Sequence, residues 1–275
     1  MKIAFVFDWY HRDTVGSYLL RAAKALGHEA EHFWLRNARQ IPPGFDLYLR
    51  VDFGDYTEKD LATSLNPAAF YAIDSHIPKS WQKILRLAPR YGMVFCAQRW
   101  AAERLPNGRW LPLGCDAELH AGEPAEPEYD VAFVGSDGGV PRKFILQALR
   151  ERYPKSRIGP APHTEIASLY NRARVVFNYS IADDVNMRVF EALAAGACLV
   201  TNALSHDDLK CLGLKEEEHL VLYRSPREIF AKIDDLLAQP ERRLKIGRAG
   251  QEVVMNKHTY VQRIEEIVRI ACAPL

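Results

Sequence analysis

The chain has 275 residues, is 48% hydrophobic and 26% charged, and carries 36 Lys and Arg against 35 Asp and Glu, a net charge of +1. That length asks for two domains, and so ordinary a composition excludes a disordered, collagenous or coiled-coil chain. The near-neutral balance excludes a dedicated nucleic-acid binder and a polybasic membrane protein, although residues 1–114 carry +4 and the remainder −3.

The opening Met1–Asp8 holds an apolar run too short for a signal peptide or a membrane span, and no later run approaches a span. Strands are expected at Ile3–Asp8, Glu29–Leu35, Leu47–Asp52, Phe70–Asp74, Met93–Ala97 and Arg109–Leu113. Between the first two, Leu19, Leu20, Ala23 and Leu26 share a helix face that Gly27 terminates. Residues 114–129, rich in Pro and Glu and without periodicity, read as a linker. A second strand–helix series follows, with strands from Asp130 and at Ser156–Gly159, Val175–Tyr179, Cys198–Asn202 and Leu220–Tyr223. Helices are expected over Arg142–Arg152, Thr164–Ala173, Arg188–Ala195, Pro226–Ala238, Pro240–Asn256 and Tyr260–Ala271, the last with one apolar face. This alternation is the signature of parallel sheets, so the expected fold is α/β: two Rossmann-like domains facing a central cleft, where the carboxyl ends of both sheets gather a ligand.

Cysteine usage bears on the compartment. Cys96, Cys115, Cys198, Cys211 and Cys272 are an odd number with no C-x-x-C pair, and four of them lie in or beside apolar runs. Small buried hydrophobes in a reducing compartment are expected, which points to the cytoplasm.

The segment Asn178–Asn202 carries the most chemistry. It reads as strand, polar loop, helix and strand, so the loop delivers a helix N-terminus, with free N–H groups and partial positive charge, to a strand's carboxyl end. Asn186 and Met187 present backbone N–H groups there, Asp183 in the loop can reach a sugar hydroxyl, and Glu191 on the helix can accept from a ribose diol. Arg188 can clamp phosphates or pair with Glu191. Upstream, Gly135-Ser-Asp-Gly-Gly ends a strand, and Arg142 and Lys143 follow at a helix start, a pattern that cradles a diphosphate. In the first half, Asp74-Ser-His76 ends a strand; Asp74 can orient His76, or Asp74 and Ser75 can cap the next helix. Trp9, Tyr10 and His11 form a loop after the first strand, suited to stacking on a sugar or an apolar acceptor. His28, His32, His120, His206 and His219 have no supporting context in the sequence. No metal motif stands out, and Asp234-Asp235 reads as a solvated helix face.

Asp183 and Glu191, eight positions apart and followed by Ala194-Ala195-Gly196-Ala197-Cys198-Leu199-Val200, resemble the donor-binding region of GT-B glycosyltransferases. The likeness is to family 4 and to the short spore-maturation-type group; the first carboxylate, usually Glu in the large family, is here Asp. Trp110–Asp116, Phe133–Ser136 and His258–Arg263 extend the resemblance over about residues 110–275. It implies an acceptor-side domain at 1–114, a linker at 115–129, a donor domain at 130–257 and a final segment, 258–275, packed back on the first domain. It also implies transfer of a sugar from a nucleoside-diphosphate donor to an unidentified acceptor, retaining, with no metal and no cofactor; inverting GT-B enzymes use a first-domain base, and His11 leaves that variant open. Arg142 and Lys143 would stabilise the departing diphosphate, and His76 would meet the donor sugar near the leaving group. A catalytically inactive nucleotide-sugar-binding or partner-binding module is the alternative. The glycine fingerprint of a nicotinamide dinucleotide site is absent after either leading strand.

Overall fold

In the computed structural model, which describes residues 1–9, 14–52, 58–122, 125–182 and 184–272, the chain divides into two compact units. One is Met1–Leu113 with Tyr260–Leu275, the other Gly114–Thr259. Among the described residues no helix is long and apolar enough to cross a membrane.

The first unit runs β1 (Lys2–Val6), α1 (Val15–Ala25), β2 (Glu29–Phe33), β3 (Leu47–Val51), β4 (Ala68–Ala72), α2 (Pro78–Leu87), β5 (Met93–Cys96), α3 (Arg99–Ala102) and β6 (Gly108–Trp110). Its strands form one parallel sheet in the order β2-β1-β3-β4-β5-β6. Helices cover both faces, so β3 and β4 are wholly buried and read as continuous runs rather than alternating ones. Thr14 caps α1, its side chain accepting from the Ser17 N–H while the Ser17 hydroxyl accepts from the Thr14 N–H. Two charged side chains of β3 and its end are unexpected in such a strand. Buried Arg50 donates to Asp60 at 3.1 Å, and buried Lys83 of α2 donates to Asp52 at 2.6 Å, so each charge has a partner.

The second unit runs α4 (Ala117–His120), β7 (Tyr129–Val134), α5 (Arg142–Arg152), β8 (Ser156–Gly159), α6 (His163–Asn171), β9 (Ala173–Asn178), α7 (Met187–Ala194), β10 (Leu199–Asn202), α8 (His206–Leu212), β11 (Val221–Tyr223), α9 (Pro226–Ala238) and α10 (Pro240–Lys257). Its parallel sheet has the order β11-β10-β9-β7-β8. From β7 the chain steps outward to β8; from β9 it steps the other way to β10. Right-handed crossovers therefore put α5 and α7 on opposite faces, and the loops leaving β7 and β9 part at a topological switch point. Residues of α5 and α9 share one core with Phe133 and Phe177. The small residues Ala192, Ala194 and Ala195 are buried where α7 approaches the sheet.

Two features differ from the sequence reading. The segment read as an aperiodic linker contains α4, because Asp116 accepts from the N–H groups of Glu118 and Leu119 and four residues are too few to show a period. Of the cysteines, three rather than four are buried, Cys96, Cys115 and Cys198; Cys272 is half-buried and Cys211 is exposed.

The last helix, α11 (Tyr260–Ala271), belongs to the first unit. Tyr260 stacks on Tyr18 of α1 with ring centroids 5.2 Å apart. Buried Arg263 donates from Nε to the Pro112 carbonyl at 2.7 Å and from Nη2 to the Leu113 carbonyl at 3.1 Å.

Candidate functional site

The carboxyl ends of β7 and β9 bring four of the sequence-selected residues together. Gly135 follows β7 directly, and the turn from it to Gly139 leads through Pro141 into α5. Arg142, at the first position of α5, folds back beneath this turn. It is 5% exposed, and its Nε donates to the Asp137 carbonyl at 3.1 Å. Arg188, at the second position of α7, comes from the other side, and its Nε donates to Asn178 Oδ1 at 2.9 Å. Both guanidiniums lie over the Phe133 ring, Arg142 at 5.8 Å and Arg188 at 5.3 Å from its centroid.

Glycines make the room for both. A Cβ on Gly135 would stand 3.1 Å from Arg188 Nη1, and one on Gly138 would stand 1.7 Å from Arg142 Nη2. Gly138 also has φ +62°, the left-handed region. The turn is glycine-rich for arginines as much as for a ligand.

Neither guanidinium has a carboxylate within ion-pair distance among the described residues. Burial first, and the Arg188 charge next, pull Arg142 below the ordinary guanidinium value, with Asp137 opposing. Two neighbouring cations in a partly desolvated pocket repel until an anion of higher charge joins them. The start of α7 adds to this field: Asn186 occupies the cap position but makes no side-chain cap bond, and its Oδ1 is buried without a hydrogen bond.

The rest of the loop is stapled to β10. Asn178 Nδ2 donates to Thr201 Oγ1 at 3.0 Å while its Oδ1 holds Arg188, and the Ser180 N–H donates to Asn202 Oδ1 at 2.7 Å. Asn178 is thus a positioning residue for Arg188, one that no motif in the sequence marks.

Glu191 departs from the solvated helix carboxylate that one turn of α7 suggests. It is 3% exposed, and burial pushes its carboxyl up to about 7, with Arg188 pulling the other way. Its Oε1 is buried without a hydrogen bond and lies 3.7 Å from His120 Nε2. His120, which the sequence left without context, is wholly buried on α4. Arg188 bonds to Asn178, and among the described residues no ion pair joins it to Glu191, although its charge acts on that carboxyl. Lys143 is exposed on the first turn of α5.

Among the described residues no three His, Cys, Asp or Glu side chains gather as a metal would require. An apolar pocket of about 610 Å³ opens beside Pro141, between α5 and the start of α9, lined by Phe144, Ile145, Tyr179, Ile229 and Phe230.

In the first unit, His76 follows the end of β4, and its Nδ1 is buried without a hydrogen bond. The capping alternative for its neighbours is not what forms. Helix α2 has Ile77 at its cap with no side-chain bond, and the Ser75 hydroxyl donates instead to Gln98 Oε1 at 2.6 Å. Trp9 is 37% exposed and packs edge-on against His32 at 5.2 Å. Tyr10, His11 and Asp183 lie outside the described residues.

A family profile described as "Glycosyl transferase-like" matches residues 119–269, more than half of the chain. No curated protein matches the sequence. Solved structures share the fold at low identity. Anabaena HepE in complex with UDP and glucose aligns with a TM-score of 0.69 at 14% identity, over 98% of this chain and 100% of that one. Sucrose-phosphate synthase from Thermosynechococcus elongatus aligns at 0.65 and 13%, over 98% of each chain. T4 phage BGT in complex with UDP-glucose aligns at 0.64 and 12%, over the full length of both.

Proposed function

The chain belongs to the glycosyl transferase-like family and is a glycosyltransferase of the GT-B fold, and from that premise we propose that it moves a sugar from a nucleoside-diphosphate donor held by the second unit, retaining the anomeric configuration and needing no metal. The short spore-maturation-type enzymes remain the subgroup whose motifs it most resembles, and the cytoplasm the compartment that its odd number of cysteines without a C-x-x-C pair suits.

The observation that supports this reading is the pair Arg142 and Arg188, converging over Phe133 with no carboxylate within ion-pair distance among the described residues. The bond to be broken joins the anomeric carbon to a phosphate oxygen, and its electron pair leaves on the diphosphate. Charge therefore grows where the two guanidiniums and the start of α7 point, so their stabilisation is greater in the transition state than in the ground state. A divalent cation performs this task in other phosphate chemistry; here two preorganised side-chain cations supply the charge. In this reading Glu191 of α7 takes the ribose, Gly135 lets Arg188 approach, and the Asn186 and Met187 backbone forms the helix start. HepE and BGT were solved with UDP or UDP-glucose, so UDP is the first nucleotide to try. From the first unit we assign His76 to the donor sugar and the Trp9 loop to the acceptor.

The test is calorimetric titration of UDP, GDP, ADP, CDP and TDP into the protein with EDTA or Mg²⁺, followed by nucleotide release from the matching sugar donor. Binding of one nucleotide, unaltered by EDTA, supports the reading. Binding that requires Mg²⁺, or none at all, overturns it.

A further inference from the structure

We propose that His120 is the positioning residue that aims the Glu191 carboxylate at the donor, its Nε2–H closing on Oε1 and leaving Oε2 for the ligand. This role rests on the reading of Glu191 as the ribose ligand and gives it a partner from the junction segment.

The tautomer of His120 is set by its own helix. The Asp116 N–H donates to His120 Nδ1 at 3.0 Å, so Nδ1 accepts and the neutral ring carries its proton on Nε2. Asp116 also caps α4 through its carboxylate, so one residue anchors both the helix and the ring. Helix α4 packs directly on α7. That places Nε2 3.7 Å from Glu191 Oε1, with the two side chains 0% and 3% exposed. The separation is about 0.8 Å longer than a hydrogen bond. Oε1 is enclosed and makes no hydrogen bond, so an ionised Glu191 has an unmet acceptor facing this ring.

The surroundings fit a carboxylate that changes state. Titratable groups facing it are His120 from α4, Tyr170 from α6, which interacts with it electrostatically, and Arg188 from α7 itself. From α10 the side chain reaching the end of α7 is Gln251, which is uncharged and donates to the Ala194 carbonyl at 2.9 Å. Glu191 ionises near neutrality in this burial, and a donor fixed in advance makes the ionised, oriented form less costly to reach.

The experiment measures UDP affinity by calorimetry between about pH 5.5 and 8.5 for wild type, His120→Phe, His120→Gln and Glu191→Gln. Glu191→Gln retains the phosphate's own ionisation, so the pH dependence that vanishes in it belongs to Glu191. His120→Phe is expected to bind about tenfold more weakly at neutral pH, as for one lost bond to a charged group. Its Glu191 midpoint should move to higher pH. His120→Gln, which keeps a donor, should recover most of the affinity. Thermal unfolding of each variant separates this from loss of fold, since a packing role lowers affinity equally at every pH. Wild-type affinity and midpoint in His120→Phe overturn the role of His120, as does a uniform loss that Gln does not repair. Absence of any nucleotide binding by wild type overturns the donor reading and this role with it.

Discussion

Arg142 and Arg188 come from helices on opposite faces of one sheet and still place both guanidiniums over the same ring, that of Phe133. Each is held by a neutral oxygen, Arg142 by the Asp137 carbonyl and Arg188 by Asn178. Neither bond neutralises its guanidinium, which leaves both charges for the diphosphate in the proposed function. Arg142→Ala or Arg188→Ala should lower kcat for donor turnover by roughly 10²–10³, the range for losing one preorganised donor. The effect on donor KM should be smaller, because the diphosphate gains charge only as the bond breaks. Single-turnover nucleotide release beside UDP affinity measures both.

Gly138→Ala should mimic the loss of Arg142 without touching it. The added Cβ overlaps the guanidinium, and φ +62° costs a residue with a side chain about 1–2 kcal/mol. Turnover should fall as in Arg142→Ala, and the double variant should be no slower than the worse single one, since both remove one interaction. A double variant showing the product of the two losses places Gly138 in a different role.

The pH dependence of stability has a definite sign. The Glu191 carboxyl is raised from 4.5 to about 7 by folding, so the native state binds more protons than the unfolded chain between those values. Stability contributed by this group is present below pH 4.5 and is lost as pH rises through about 7. The loss amounts to about 3 kcal/mol at most. Urea unfolding of Glu191→Gln beside wild type should show the variant gaining relative stability between pH 5 and pH 8. Equal differences at both pH values contradict it.

Arg263 ties α11 to the chain end of the first sheet through two backbone carbonyls. Arg263→Met keeps the apolar stem but removes the donor to the Leu113 carbonyl and leaves the Pro112 carbonyl only the Tyr71 hydroxyl at 3.1 Å, which should destabilise the protein by about 1–3 kcal/mol. Thermal unfolding with far-UV detection reports it, and a variant within 0.5 kcal/mol of wild type would show that water replaces the guanidinium.

The sequence by itself determined the elements and the kind of chemistry. Apolar runs and helical periods are local properties, so the strands of both sheets, helices α5, α6, α7, α9 and α10 of the second unit and the glycine-rich turn before Arg142 could be read directly, whereas the short α4 and α8 could not. The apolar stripe of 260–271 likewise announced a buried helix face. What only the tertiary structure decided are the relations between residues far apart in the chain. Arg142 and Arg188 are separated by two strands, and they meet because strand order puts β9 beside β7. His120 carried no signal, since a lone histidine in a Pro- and Glu-rich segment has no period and no motif; its meaning comes from α4 packing on α7. Glu191 was legible as a helix carboxylate but not as a buried one, because desolvation is a property of the surrounding fold and not of the spacing that points to it.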